Sequence, residues 1–207
     1  MIKTKPNQAK RILAVILATI PAFSCAPDFE GTYNDPAKAE IVDDKWNETD
    51  ARKTAEHLIK SAVSKPWLAE FKALNKGQRP VVIVDEVENR TDEHIDTKAL
   101  TEYVRDELIN SGRVRFLNKA RRKALLEELK YQNSGAVSAK TRKKKGNQIG
   151  ADFMLGGAIS SSVHSMDELK TVTYQTNLVL TNLETSEIVW SEKKLIKKRF
   201  RRSGAGW

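Results

Sequence analysis

The period of the apolar residues changes once along this chain, and that change limits the fold more than any other feature. Before residue 150 apolar side chains recur at helical spacing. Leu100, Tyr103, Val104 and Leu108 make one such face, behind Asp96 as N-cap and ahead of Gly112 as stop. After residue 150 they alternate with polar ones. Val172-Thr173-Tyr174-Gln175-Thr176-Asn177-Leu178-Val179-Leu180 is the pattern of a half-buried strand. Earlier, Pro80-Val81-Val82-Ile83-Val84-Asp85 is a short β-branched run suited to a buried strand. Helices dominate first and a meander comes last. The fold class is therefore α+β: a small mixed sheet covered by helices, ending in an antiparallel meander.

The remaining elements fit around these. Asn47 or Thr49 caps a helix through Thr54, His57, Leu58 and Ile59; Lys65-Pro66 interrupts it, and Trp67, Leu68, Phe71 and Leu74 resume the helical spacing. Val114-Arg115-Phe116-Leu117 is a short strand. Asn118 caps another helix with Leu125, Leu126 and Leu129 inward, and Ser138 starts a shorter one ending before Gly150. A strand begins at Phe153, and Glu187-Ile188-Val189-Trp190 starts the partner of the alternating strand after a turn over 182–186. Gly156-Gly157 marks a bulge or a close backbone approach.

The first 46 residues have a different character. Lys3, Lys5, Lys10 and Arg11 form a positive leader without an acid. An apolar run over 12–20 follows, then small residues ending in Ser24-Cys25. A membrane span needs about 20 apolar residues, so the run is too short for one and has the flanks of a secretory signal peptide. The end of this leader resembles the bacterial lipobox, in which the Cys thiol is acylated and the chain is cut before it. The resemblance implies cleavage between Ser24 and Cys25 and lipidation of Cys25, the chain's single cysteine. Ala26 in the next position resembles lipoproteins sent to the outer membrane. Several acyl chains on one Cys hold a protein stably. Removing residues 1–24 takes away four positive charges, so the net charge falls from +9 to +5. Residues 26–46 have little periodicity and read as a flexible tether.

No catalytic constellation is visible. One Cys and three scattered His (His57, His94, His164) build neither a disulfide nor a metal site. Neighbouring acids such as Glu127-Glu128 read as a solvated helix face. Gly156-Gly157 lacks the spacing of a phosphate-binding loop, and Ser160-Ser161-Ser162 has no nucleophile elbow around it. An enzyme, a cofactor and a small-molecule substrate are not expected. Three basic clusters (121–123, 140–145 and 193–202) read as solvated helix faces and a frayed tail, or as steering toward an acidic domain or anionic polymer. A secreted chain makes nucleic acid an unexpected partner.

Val84-Asp85, Val87, Asn89-Arg90-Thr91, the Gly112 stop, Gly150-Ala151-Asp152 and Glu184-Thr185-Ser186-Glu187-Ile188-Val189-Trp190-Ser191 resemble, in order and spacing, the LpoB family. Members are outer-membrane lipoproteins that activate class A penicillin-binding proteins, which are bifunctional peptidoglycan synthases. The resemblance covers roughly 80–192. It implies a fold similar to the N-terminal domain of TolB, a noncatalytic role at the periplasmic face of the outer membrane, and a class A synthase as partner, with peptidoglycan as a further one. Asn89, Arg90 and Phe153 are the expected contact residues. The organisation is thus a signal peptide (1–24), a lipidated Cys and tether (25–46), helices packed on the domain (47–79), and an α+β domain with a basic tail (80–207). Two other readings stand beside it: a secretion-channel lipoprotein like the curli exporter, and an envelope module that binds cell-wall polymer.

Overall fold

The computed structural model describes residues 43–201 together with Gly31, Tyr33, Asp35 and Lys38. The chain divides into two units, Met1–Pro36 and Ala37–Trp207. Of the first, only Gly31, Tyr33 and Asp35 are described, all exposed. Ser24 and Cys25 lie outside the described residues.

The second unit opens with α1 (Glu48–Ser64). Asn47 starts it through a reciprocal cap: its side chain accepts from the Asp50 amide at 3.1 Å, and the Asp50 carboxylate accepts from the Asn47 amide at 3.1 Å. The chain leaves the helix at Lys65, and Pro66 takes the first position of α2 (Pro66–Leu74), where its missing N–H costs nothing. Then follow β1 (Val81–Val84), β2 (Glu88–Arg90), α3 (Thr97–Asn110), β3 (Arg115–Phe116) and, after one 3-10 turn, α4 (Arg122–Gln132). Three long strands close the chain: β4 (Phe153–Met166), β5 (Leu169–Asn182) and β6 (Ile188–Arg201). Asp96 caps α3 and Gly112, at φ 62°, ends it, as the sequence predicts.

The strand order is β3-β1-β4-β5-β6, and β2 also pairs with β4, beyond β1 on the same edge. β1 runs parallel to β3 and β4, whereas β4, β5 and β6 form the antiparallel meander. The expected mixed sheet and meander are present. α1 lies against α3 and β6. The core is one cluster: Ala55, Leu58 and Ile59 from α1, Trp67 and Leu68 from α2, Leu100 and Val104 from α3, and the inward row of the sheet. On β5 that row is Val172, Tyr174, Thr176, Leu178 and Leu180, all buried, while every intervening residue is less buried.

Three expectations are corrected. Residues 138–149 form turns and not a helix, since the lysines at 143–145 leave no apolar stripe to bury. α4 forms but buries no residue, and Leu125 and Leu126, expected inward, are 50% and 44% exposed. The basic run after Trp190 is not a frayed tail up to Arg201. It is the body of β6, with Trp190, Ile196 and Phe200 on the helix side and Lys193, Lys197, Arg199 and Arg201 on the other.

Candidate partner-binding face

The helices occupy one face of the meander, and among the described residues nothing packs over the other. Its residues follow from the register. Ala158 sits opposite Asn177, and Asn177 opposite Lys193; Ser160 pairs with Gln175 and Gln175 with Leu195; Ser162 pairs with Thr173 and Thr173 with Lys197. Small and hydroxylated residues therefore fill the middle strands, and cations line the β6 edge. At the opposite edge Glu88 aligns with Ala158 and Arg90 with Ser160, so both project onto the same bare face. Asp85, Glu86, Glu88 and Arg90 border a depression of about 580 Å³ floored by Gly156, Gly157, Ala158 and Ser160. The face is thus polarised: acids near β2, a neutral hydrogen-bonding floor, and a basic row along β6.

Gly156 and Gly157 have separate roles. A Cβ on Gly157 would stand 2.0 Å from the Asn177 carbonyl oxygen, so β4 and β5 come as close as they do only because that position has no side chain. The sequence reading of a close backbone approach holds here. A Cβ on Gly156 meets only Asp85 Cβ, at 3.6 Å, an ordinary contact.

The expected contact residues fall into three different settings. Arg90 is exposed, but its Nε donates to Glu88 Oε2 at 2.8 Å and its Nη2 pairs with the same oxygen. Asn89 faces the helix side. Its Oδ1 accepts from the Thr91 amide at 2.9 Å and its Nδ2 donates to the Glu93 carbonyl at 2.8 Å. It shapes the 89–93 turn and so holds Arg90 in place. Phe153 is corrected outright: it is 3% exposed, with the Trp67 and Phe71 rings edge-on at 5.2 and 5.4 Å. It also lies five residues before Ala158 on β4, about 17 Å along the strand. Phe153 is a buried aromatic at the far end of the strand and belongs to the core, not to the exposed face.

The turn that Asn89 shapes carries Glu93, which binds the start of the body. Tyr174 Oη donates to Glu93 Oε1 at 2.6 Å and to the Asp44 carbonyl at 3.1 Å, and the Trp46 amide donates to Glu93 Oε2 at 3.3 Å. Burial first, and then the Glu93 carboxylate, push the Tyr174 phenol well above its ordinary range. Nearby, Lys198 Nζ meets Asp50 Oδ2 at 2.6 Å with both side chains buried, and donates to the Lys45 carbonyl. Residues 44–50 are thereby fastened to β5 and β6.

A second depression, about 490 Å³, opens where β1 ends, between α3 and residues 116–120. Lys119 Nζ donates to Asp85 Oδ1 there at 2.6 Å and holds the Asp85 carboxyl below the usual carboxylate range. Among the described residues no three His, Cys, Asp or Glu side chains gather as metal ligands do, and no helix is long and apolar enough to cross a membrane.

The sequence reading passed over the β6 row. Its alternation at 190–201 is real, but Glu192, Lys194 and Lys198 stand on the inward side, so charge occupies both faces and masks the period.

The class the fold defines is an α+β body with helices on one side of a mixed sheet and a polarised face on the other. The family is given by comparison. A model of the family described as Peptidoglycan-synthase activator LpoB matches residues 50–196, well over half of the chain, and the chain belongs to that family. Among solved structures it is similar to the LpoB C-terminal domain from Salmonella enterica (19% identity, covering 71% of this chain and 98% of that one, TM-score 0.42). It is also similar to LpoB of E. coli (18%, 94% and 96%, TM-score 0.41) and to lipoprotein GNA1162 from Neisseria meningitidis (15%, 61% and 88%, TM-score 0.37). Comparison with curated protein sequences finds no match.

Proposed function

We propose that the mature protein is a noncatalytic lipoprotein, anchored in the outer membrane by acylated Cys25, that binds a class A penicillin-binding protein and raises its glycan polymerisation. The observation that carries this reading is the family match over residues 50–196, which takes in both the helical layer and the meander. The bare face supports it, since a domain with one sheet face uncovered has a surface left for a partner. Activation then requires that the partner's active conformation bind this face more tightly than its resting one, because equal affinity shifts no equilibrium.

Arg90 and the β6 row, especially Lys197, are the proposed contacts, and Asn89 positions Arg90. The deciding experiment titrates the unacylated body against the class A synthases of its own organism in detergent and follows glycan polymerisation. The expected result is binding with stimulation. Detachment from the membrane is made good by concentration, because the anchor only raises the local one. Arg90→Ala weakens binding about thirtyfold if that guanidinium carries about 2 kcal/mol. A folded Arg90→Ala variant that binds like the parent removes Arg90 from the contact. If the parent body neither binds nor stimulates any such synthase, the activator reading fails.

A further inference from the structure

α4 is a helix without a home. None of its eleven residues is buried. Leu125, Leu126 and Leu129 nevertheless share one side of it at helical spacing, with Glu127 and Glu128 on the other. Arg122 and Lys130 lie close beside that leucine stripe, and Ile149, next to Leu125, adds further exposed apolar area, whereas Tyr131 falls on the acidic side. A stripe of large apolar residues left in water needs an occupant.

The charge around it says which. Residues 119–149 hold ten Lys and Arg against two acids, eight net positive charges in a chain whose total is +9. Lys119 pairs with Asp85, but among the described residues Arg121, Arg122, Lys123, Arg142 and the lysines at 143–145 have no ion-pair partner. The body's excess positive charge is thus concentrated on one protruding helix and the segment behind it, which the Asn133 side chain ties back through the Lys143 carbonyl at 3.0 Å. An acidic protein patch would suit the cations but not the leucines between them. A bilayer with anionic headgroups suits both: phosphates take the cations while the leucine side dips into the acyl boundary.

We propose that α4 and residues 140–145 form a docking surface for a bilayer bearing anionic headgroups. Where Cys25 anchors the chain, as read above, residues 26–46 reach at most about 70 Å even fully extended. The same membrane is then within range, and docking would lay the body against it instead of presenting it to a partner. The surface itself does not depend on the anchor, and docking is a separate event from synthase binding.

The test uses the chain from residue 26 onward, without leader or lipid. Among the described residues the core draws on none before Trp46, and this chain keeps all of those. It is mixed with vesicles of phosphatidylcholine with or without phosphatidylglycerol, sedimented, and assayed for bound protein. Sedimentation with the anionic vesicles alone, lost at high salt, is expected. Replacing Lys143, Lys144 and Lys145 together by Gln lowers partitioning about a hundredfold, since each cation near an anionic surface is worth roughly a factor of five. These lysines lie outside helix and strand and are exposed, so circular dichroism should be unchanged. Leu126→Ser weakens binding too, which a purely electrostatic attraction would not show. Equal binding to both vesicle types overturns the proposal, as does a triple variant or a Leu126→Ser variant that partitions like the parent. A triple variant that keeps vesicle binding but loses a class A synthase assigns the patch to the protein partner. Since the vesicle assay contains no synthase, its failure leaves the activator reading standing.

Discussion

Tyr174 shows how much one side chain carries here. Its ring packs edge-on against Trp46 at 5.4 Å, and its hydroxyl ties Glu93 to the Asp44 carbonyl. Replacing it by Phe keeps the ring and removes only the donor, leaving a half-buried carboxylate with one partner fewer. The expected loss is about 1–3 kcal/mol of unfolding free energy in urea titrations. The pH dependence has a definite sign. A phenol whose folded pKa is raised contributes stability in full below about pH 10, the unfolded value, and loses it as pH climbs further. The wild type therefore weakens above pH 10 more steeply than Tyr174→Phe does. Parallel alkaline limbs for the two proteins would contradict this account. Lys198 is the other critical residue, because removing it strands Asp50 as a buried charge. Lys198→Met is expected to cost about 3–5 kcal/mol, read from the same titrations.

At the scale of elements, the meander depends on the contact at Gly157. Gly157→Ala drives a methyl into the Asn177 carbonyl, so β4 and β5 must part locally or β4 must bulge. A loss of about 1–3 kcal/mol is expected, whereas Gly156→Ala next to it is close to neutral. Thermal melts of the two variants compare a filled and an open position one residue apart. The elements also differ in how far their sequences disclose them. The N-caps at Asn47, Asp96 and Asn118 and the stop at Gly112 are local hydrogen-bonding devices, legible from a few residues. The alternation over 172–180 is legible because only one face of β5 is covered. α4 is misread because a leucine stripe reports what a helix could bury, not whether a neighbour exists to bury it against. Phe153 is misread for the related reason that an aromatic beside a glycine pair gives no sign of which face it takes. That parity is fixed by the pairing of Phe153 with Val82 and Asn182, both distant in sequence. Arg90 is placed on the surface as expected, yet its pairing with Glu88 follows from the β2 register, which no local pattern encodes.

The whole body stands or falls together, and that has a consequence for how it can be cut. The sequence suggests a division at residue 80, with helices before it and the α+β domain after. The packing crosses that line everywhere. Ala51, Ala55, Leu58, Ile59 and Ala62 of α1 and Trp67 and Leu68 of α2 belong to the same cluster as Phe153, Tyr174, Leu178 and Trp190 of the meander. The Ser61 hydroxyl donates to Glu192 at 3.1 Å, and Lys198 holds Asp50. Leu58, Ile59, Trp67 and Leu68 each contribute about 2 kcal/mol by burial, so deleting α1 and α2 removes roughly 8 kcal/mol before the exposed strand residues are considered. A domain of this size is stable by about 5–15 kcal/mol, so the loss matches most of what holds it together. A chain shortened to 80–207 is therefore expected not to fold, whereas one shortened to 43–207 melts in a single cooperative step. Circular dichroism melts of the two chains check this, followed at far-ultraviolet wavelengths for backbone and near-ultraviolet wavelengths for packed aromatics. A cooperative near-ultraviolet transition from 80–207 alone would show that α1 and α2 are accessory. The meander could then present its bare face to a partner without them.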